Sequence, residues 1–320
     1  MQPQRGGGTK VIWTSFRNQE PQPEELRAVI WDAFRAPLTS AEPMPDAALS
    51  YVYRVSLPRE PHQAIVKWQH HLGRSAGEAR QLEELRKCAV VRVPEVYLCD
   101  PEREVLVIEY LSGVRADSIE PPDVAAAERL ADDIVRALLA WHAVGNPAGF
   151  GPLDGPYYGR WVDYYRERLI AYHAEIHSET SAELMLTDDV LETADRSLER
   201  MEEILGNAHR EAVLVHSDYH LANLLMDPKA FRLTGVVDPL DAEWADLELD
   251  LIHWEWPWGE KQHLLARYQQ RVPLPEGFPL RCAFYQFWYA MQNLARLPWH
   301  HPQQDHQFAE ALDQAMQAFL

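Results

Sequence analysis

His216-Ser217-Asp218-Tyr219-His220-Leu221-Ala222-Asn223, with Gly235-Val236-Val237-Asp238 downstream of it, is the stretch on which the reading of this chain turns. Two short apolar runs, Ala212 to Val215 and Gly235 to Val237, each end at a polar cluster, so each strand-like run delivers an aspartate. Phosphoryl transfer needs such a layout, because it rests on positioning and on neutralising spread negative charge. Mg²⁺ takes one or two hard oxygen ligands from protein and the rest from phosphates and water. Asn223 offers an amide oxygen and Asp238 a carboxylate. Asp218 lies in the same loop as Asn223, where a carboxylate can orient a hydroxyl and take its proton.

Upstream, the pattern is β-rich. Pro23 to Phe34 reads as a helix with acids in its first turn, and Pro37 to Ala48 as turns. Tyr51 to Leu57 and Gln63 to Trp68 read as a hairpin, and Val96 to Cys99 and Glu104 to Tyr110 as two further strands. Between them Ser75 to Lys87 is helical, with Ala79, Leu82 and Leu85 forming one apolar stripe. After Leu111-Ser112-Gly113 the period turns to 3.6, with long helices predicted at Asp123 to Val144, Trp161 to His177 and Asp188 to Leu205. We therefore expect a flexible leader (1–22), a β-rich lobe (23–111) and a helical lobe (112–320).

Composition narrows the class. The chain has 320 residues, 47% of them hydrophobic, which suits two unequal lobes. Its apolar runs are strand-sized, and the polar, Gly-rich start has no signal-peptide core. The three cysteines, without metal spacing, point to a reducing cytoplasm. A net charge of −19 repels phosphate backbones, which excludes a nucleic-acid partner. The acidity favours a cationic substrate, with plain solubility as the simpler account. No membrane partner is expected, and the chain is read as a monomer or homodimer.

His216-x-Asp218-x-x-x-x-Asn223 followed by Val236-Val237-Asp238 resembles the catalytic loop and metal aspartate of the aminoglycoside phosphotransferase and choline kinase group. The resemblance extends through Asp241 to Leu251 and covers about Ser50 to His263. It implies an α+β, two-lobed, protein-kinase-like fold. It implies an ATP- and Mg²⁺-dependent kinase that phosphorylates a hydroxyl of an aminoglycoside, amino sugar, ketosamine or choline-like acceptor. By the same resemblance Asp218 is the base, Asn223 and Asp238 are metal ligands, and His216 is structural. Lys67 contacts the α- and β-phosphates, with Glu78 as its ion-pair partner. Ser50 ends the loop over the phosphates, and Glu109-Tyr110-Leu111 is the hinge that holds adenine. The choice between ATP and GTP stays open, and so does an inactive, nucleotide-binding relative of the same fold. The phosphate loop Pro45 to Ser50 has no glycine, Ser217 replaces the commoner glycine, and Pro239 follows the metal aspartate.

Trp254-Glu255-Trp256-Pro257-Trp258 has two readings. Trp254, Glu255 and Trp258 are candidates for an acceptor wall of ring faces and a carboxylate, and core packing is the competing role. Asp246 and Asp250 are expected to accept hydrogen bonds that hold the catalytic loop.

Overall fold

The computed structural model describes residues 19–44, 47, 49–178, 186–208, 211–255, 257–261, 263–294 and 302–320. Helix α1 (Pro23–Phe34) starts where the Glu25 carboxylate accepts the Gln22 N–H at 2.7 Å. A five-stranded antiparallel sheet follows, ordered β1-β2-β3-β5-β4. Its strands are β1 (Ser40–Met44), β2 (Ser50–Ser56), β3 (Gln63–Gln69), β4 (Val96–Asp100) and β5 (Val105–Glu109).

Side-chain alternation along β5 decides how the sheet is covered. Val105 and Val107 pack under Leu26, Val29 and Ile30 of α1, whereas Leu106 and Ile108 meet Ala79, Leu82 and Leu85 of α2 (Arg74–Cys88). Both faces are buried, so β5 reads as one apolar run. The α2 stripe is the predicted one. Its N-terminus has no local cap; the Glu104 carboxylate accepts from Ser75 N–H at 3.0 Å and from Ser75 Oγ at 2.8 Å. Trp141 Nε1 donates to the Leu85 carbonyl at 3.0 Å and ties α2 to the helical half.

Gly113 carries the chain out of the sheet at φ 146°, where an added Cβ would lie 2.9 Å from Thr234 Oγ1 and 3.0 Å from the Met226 carbonyl. No side chain fits there. The helical half holds α3 (Val124–His142), capped by Asp123 on Ala126 N–H at 2.7 Å, and α4 (Trp161–Ile176). Later helices run Phe278–Leu294 and Pro302–Phe319. Two small antiparallel sheets carry the site: β10 (Arg232–Val236), β9 (Leu224–Asp227) and β6 (Val114–Arg115), then β11 (Glu243–Ala245), β8 (Ala212–Val215) and β7 (Gly145–Asn146). The family-like expectation of an antiparallel-sheet half and a mostly helical half holds.

Two expectations change. Pro37 to Ala48 contains β1, an exposed edge strand paired with β2 from Ser40↔Ser56 to Met44↔Val52. The helix expected from Asp188 to Leu205 is two helices, Asp188–Glu199 and Met201–Leu205, broken at Arg200 (φ −92°, ψ 9°). No helix among the described residues is long and apolar enough to cross a membrane.

Candidate active site

The loop after β8 is held from behind. Asp250, wholly buried, accepts the His216 N–H at 2.9 Å and the Ser217 N–H at 2.6 Å. His142 Nε2 reaches the same carboxylate at 3.2 Å, and its Nδ1 meets the Tyr268 hydroxyl at 2.7 Å. These bonds hold Ser217 at φ 69°, a conformation that favours glycine. Asp246 is the other expected anchor. It caps its own turn through Glu248 N–H at 3.1 Å and accepts the Tyr285 hydroxyl at 2.8 Å. Beside it, Arg281 grips Glu248 with two bonds of 2.7 Å, both residues being buried.

The loop is also sewn to the segment that carries Asp238. Val237 N–H donates to the Asn223 carbonyl at 3.0 Å, and His216 Nε2 lies 3.2 Å from the Val237 carbonyl. His216 stacks on Trp141, in the structural place expected for it. The Arg74 guanidinium donates to the Leu240 carbonyl at 2.8 Å, which pins the chain after Asp238 to α2.

Asp218 accepts the Asn223 amide N–H at 2.8 Å on Oδ2 and the Tyr289 hydroxyl at 3.0 Å on Oδ1. His220 Nε2 lies 3.4 Å from Oδ2 and His253 Nε2 3.6 Å from Oδ1. Burial pushes the Asp218 carboxyl up, but the neighbouring imidazoles, His220 foremost, pull it well below the usual carboxylate range. Burial would lower His220; the Asp218 charge and hydrogen bond overcome that and raise it. Burial lowers His253 to about 4, so it is neutral at neutral pH, whereas His220 is the ring whose protonated form Asp218 favours.

Across the cleft, Lys67 Nζ donates to Glu78 Oε1 at 2.6 Å and to Asp238 Oδ1 at 2.5 Å. Gln69 Nε2 donates to Glu78 Oε2 at 2.7 Å, so both Glu78 oxygens are occupied. Burial alone would lower Lys67; Asp238 and Glu78 together raise it instead. Asp238 is in turn held down by Lys67 against burial, with Asp218 opposing. Its side chain is 56% exposed toward the cleft, against 10% for Lys67. Asp238 sits at φ 62° in the left-handed region, which turns the chain into Pro239.

The donor set fits a hard divalent cation. Asn223 uses its amide nitrogen on Asp218, which leaves the oxygen as the free ligand end, and Asp238 contributes a half-exposed carboxylate. At the hinge β5 ends at Glu109, and among the described residues the Leu111 N–H has no backbone partner. The Glu109 side chain is engaged by Arg92, and Arg54 lies over the Tyr110 ring at 5.7 Å. Ser50, buried at the start of β2, pairs with Gln69, two pairs along the ladder from Val52 and Lys67. Residues 45, 46 and 48 of the expected phosphate loop lie outside the described residues.

The aromatic wall is corrected. Trp254 is 2% exposed and packs on Tyr219 at 6.1 Å and Tyr268 at 5.9 Å, behind the catalytic loop rather than in the cleft. Large rings in a turn between buried segments fill core first. The side chains of Glu255 and Trp258 lie outside the described residues.

What sequence reading missed is a buried arginine on α4. Arg168 donates to Glu243 at 2.6 Å, Asp241 at 2.7 Å and Gln292 at 3.0 Å, and Tyr164 donates to Glu243. Burial disfavours its charge, but Glu243 and Asp241 more than restore it. Arg168 and Asp241 line both a recess of about 20 Å³ that reaches Ser217 and Tyr289, and a cavity of about 670 Å³ bounded by α2, α4 and the 152–156 loop. The only available signal was the polar side of α4 facing the Asp241-Ala242-Glu243 segment.

Two expectations on stability and pH follow. Lys67→Met leaves Glu78 buried without its cation, so urea unfolding should show a loss of about 3 kcal/mol, part of which Glu78→Gln in the same chain restores. For Asp218 and His220 the signs are opposite. The depressed aspartate stabilises above its unfolded pKa, and the raised histidine stabilises below its own and stops as pH rises through its folded value. The stability gap between wild type and His220→Gln should therefore be widest below the ordinary imidazole range of about 6.5 and shrink as pH rises above it.

The probable ketoamine kinase of Klebsiella aerogenes is 28% identical over 234 residues, 69% of this chain and 73% of the relative. A Thermobifida fusca structure assigned as a fructosamine-3-kinase superposes with a TM-score of 0.68 at 19% identity, covering 92% of this chain and 100% of its own. The streptomycin–ATP–APH(2")-IIa ternary complex superposes at 0.64 with 16% identity, covering 93% and 97%. Both structures share the fold. The sequence model of the phosphotransferase enzyme family matches residues 40–277, well over half of the chain, and the chain belongs to that family.

Proposed function

We propose that this phosphotransferase moves the γ-phosphoryl group of ATP, in the presence of Mg²⁺, to a hydroxyl of a ketosamine. The observation that carries the reading is Asp218, ionised and fixed by Asn223 and Tyr289, facing the chain Asp238–Lys67–Glu78. The ternary complex of a structural neighbour with ATP supports the nucleotide, and the name of the Klebsiella aerogenes relative supports the acceptor class.

Asp218 orients the acceptor hydroxyl and takes its proton as that oxygen bonds to phosphorus. The bond from phosphorus to the β–γ bridging oxygen breaks, and ADP departs with the electron pair. Asn223 and Asp238 would hold Mg²⁺, whose charge would offset that of the phosphates. Lys67, drawn from Asp238 toward the α- and β-phosphates, stays anchored by Glu78. In the adjoining cavity Asp154, Glu167, Asp241 and Glu243 outnumber Arg80 and Arg168, a balance that attracts an amine.

Calorimetry tests the nucleotide half. ATP should bind in Mg²⁺ and lose at least ~10-fold in affinity in excess EDTA or in Asp238→Ala. Binding indifferent to both would overturn the reading.

A further inference from the structure

At the far end of α4, away from the cleft, three side chains from two helices converge. His173 and His177 are one helical turn apart, so their rings lie on one face with centroids 4.4 Å apart. Asp195, on the helix Asp188–Glu199, places Oδ1 2.6 Å from His173 Nε2 and 3.1 Å from His177 Nε2. The three ligand atoms all lie within 4.8 Å of one another.

We propose that His173, His177 and Asp195 form a site for a divalent transition metal, Zn²⁺ in the first instance, that clamps α4 to the helix Asp188–Glu199. Two imidazoles and one carboxylate are a zinc ligand set, and tetrahedral zinc with bonds of about 2.0 Å places its ligand atoms about 3.3 Å apart. To admit the ion, Asp195 Oδ1 has to move about 0.7 Å from His173 Nε2 and about 0.2 Å from His177 Nε2. Side-chain exposures of 30%, 32% and 50% leave the fourth position to water. Two further features favour a cation here. The last turn of α4 points its carbonyl end at the site, with His177 as its C-cap. Arg196, the residue after Asp195, is drawn to Asp313 at 2.5 Å and Glu192 at 3.7 Å. The site lies outside the phosphoryl-transfer chemistry and stands independently of the acceptor's identity.

The competing account is a carboxylate accepting two imidazole N–H bonds, which needs no ion. Untagged full-length protein, stripped with EDTA and titrated with Zn²⁺, separates the two. The expected result is one ion per chain by elemental analysis and a rise in thermal midpoint of about 5 °C with zinc in large excess over its dissociation constant. Co²⁺ in its place should give the visible absorption of a tetrahedral site. His173→Ala, His177→Ala and the milder Asp195→Asn should each weaken uptake at least ~10-fold, whereas Asp238→Ala should leave it unchanged. No uptake by wild type, or uptake undiminished in folded Asp195→Asn and in the double histidine variant, would overturn the proposal.

Discussion

Replacing Asp218 with asparagine will lower turnover by ~10²–10⁴-fold while nucleotide affinity stays within about threefold of wild type. The amide has nearly the shape of the carboxylate and can still meet the Tyr289 hydroxyl, so the cleft keeps its form. It cannot take the acceptor's proton. It also withdraws the charge that raises His220. Steady-state ADP release and calorimetry on the same preparation separate the two quantities. Equal losses in both would mean that Asp218 shapes the nucleotide site, not the transfer step.

Asp250→Ala is expected to cost about 4 kcal/mol of stability and to abolish measurable turnover in whatever fraction folds. Three donors meet that carboxylate, the N–H groups of His216 and Ser217 and the His142 ring, in a place closed to water. A buried donor left unmade costs about 1–3 kcal/mol. The loss also frees Ser217 from its left-handed backbone, and Asp218 follows directly on it. Urea unfolding with activity measured per folded molecule checks both parts. Asp250→Asn, which keeps one acceptor oxygen, should fall between alanine and wild type.

Much of this could be read from sequence where one physical pattern dominates. The apolar run Val105 to Ile108, the stripe of Ala79, Leu82 and Leu85, and the loop ending at Asn223 are local, and each reappears in place. Lys67 and Glu78 also meet as expected, because a strand and the helix after it pack together. Elements set by long-range partners were not legible. β1 is exposed along its whole length and contains Pro43, so neither alternation nor propensity marks it; only pairing with β2 makes it a strand. No glycine or proline announces the break at Arg200. Tyr289 reaches Asp218 from 71 residues away, out of an aromatic helix that otherwise reads as core. Trp254 shows the converse, since a tryptophan beside carboxylates looks like a binding wall until its neighbours Tyr219 and Tyr268 are seen to enclose it.

The decisive measurement is phosphoryl transfer itself. With ATP, Mg²⁺ and a panel of ketosamines, aminoglycosides, amino sugars and choline, phosphorus NMR and ADP release should show a phosphate ester forming on a ketosamine hydroxyl, one ADP per ester. The product should be absent with EDTA and should form at least ~10²-fold more slowly with Asp218→Asn. Nucleotide bound without transfer to any of these acceptors, or transfer at the wild-type rate in Asp218→Asn, would contradict the account.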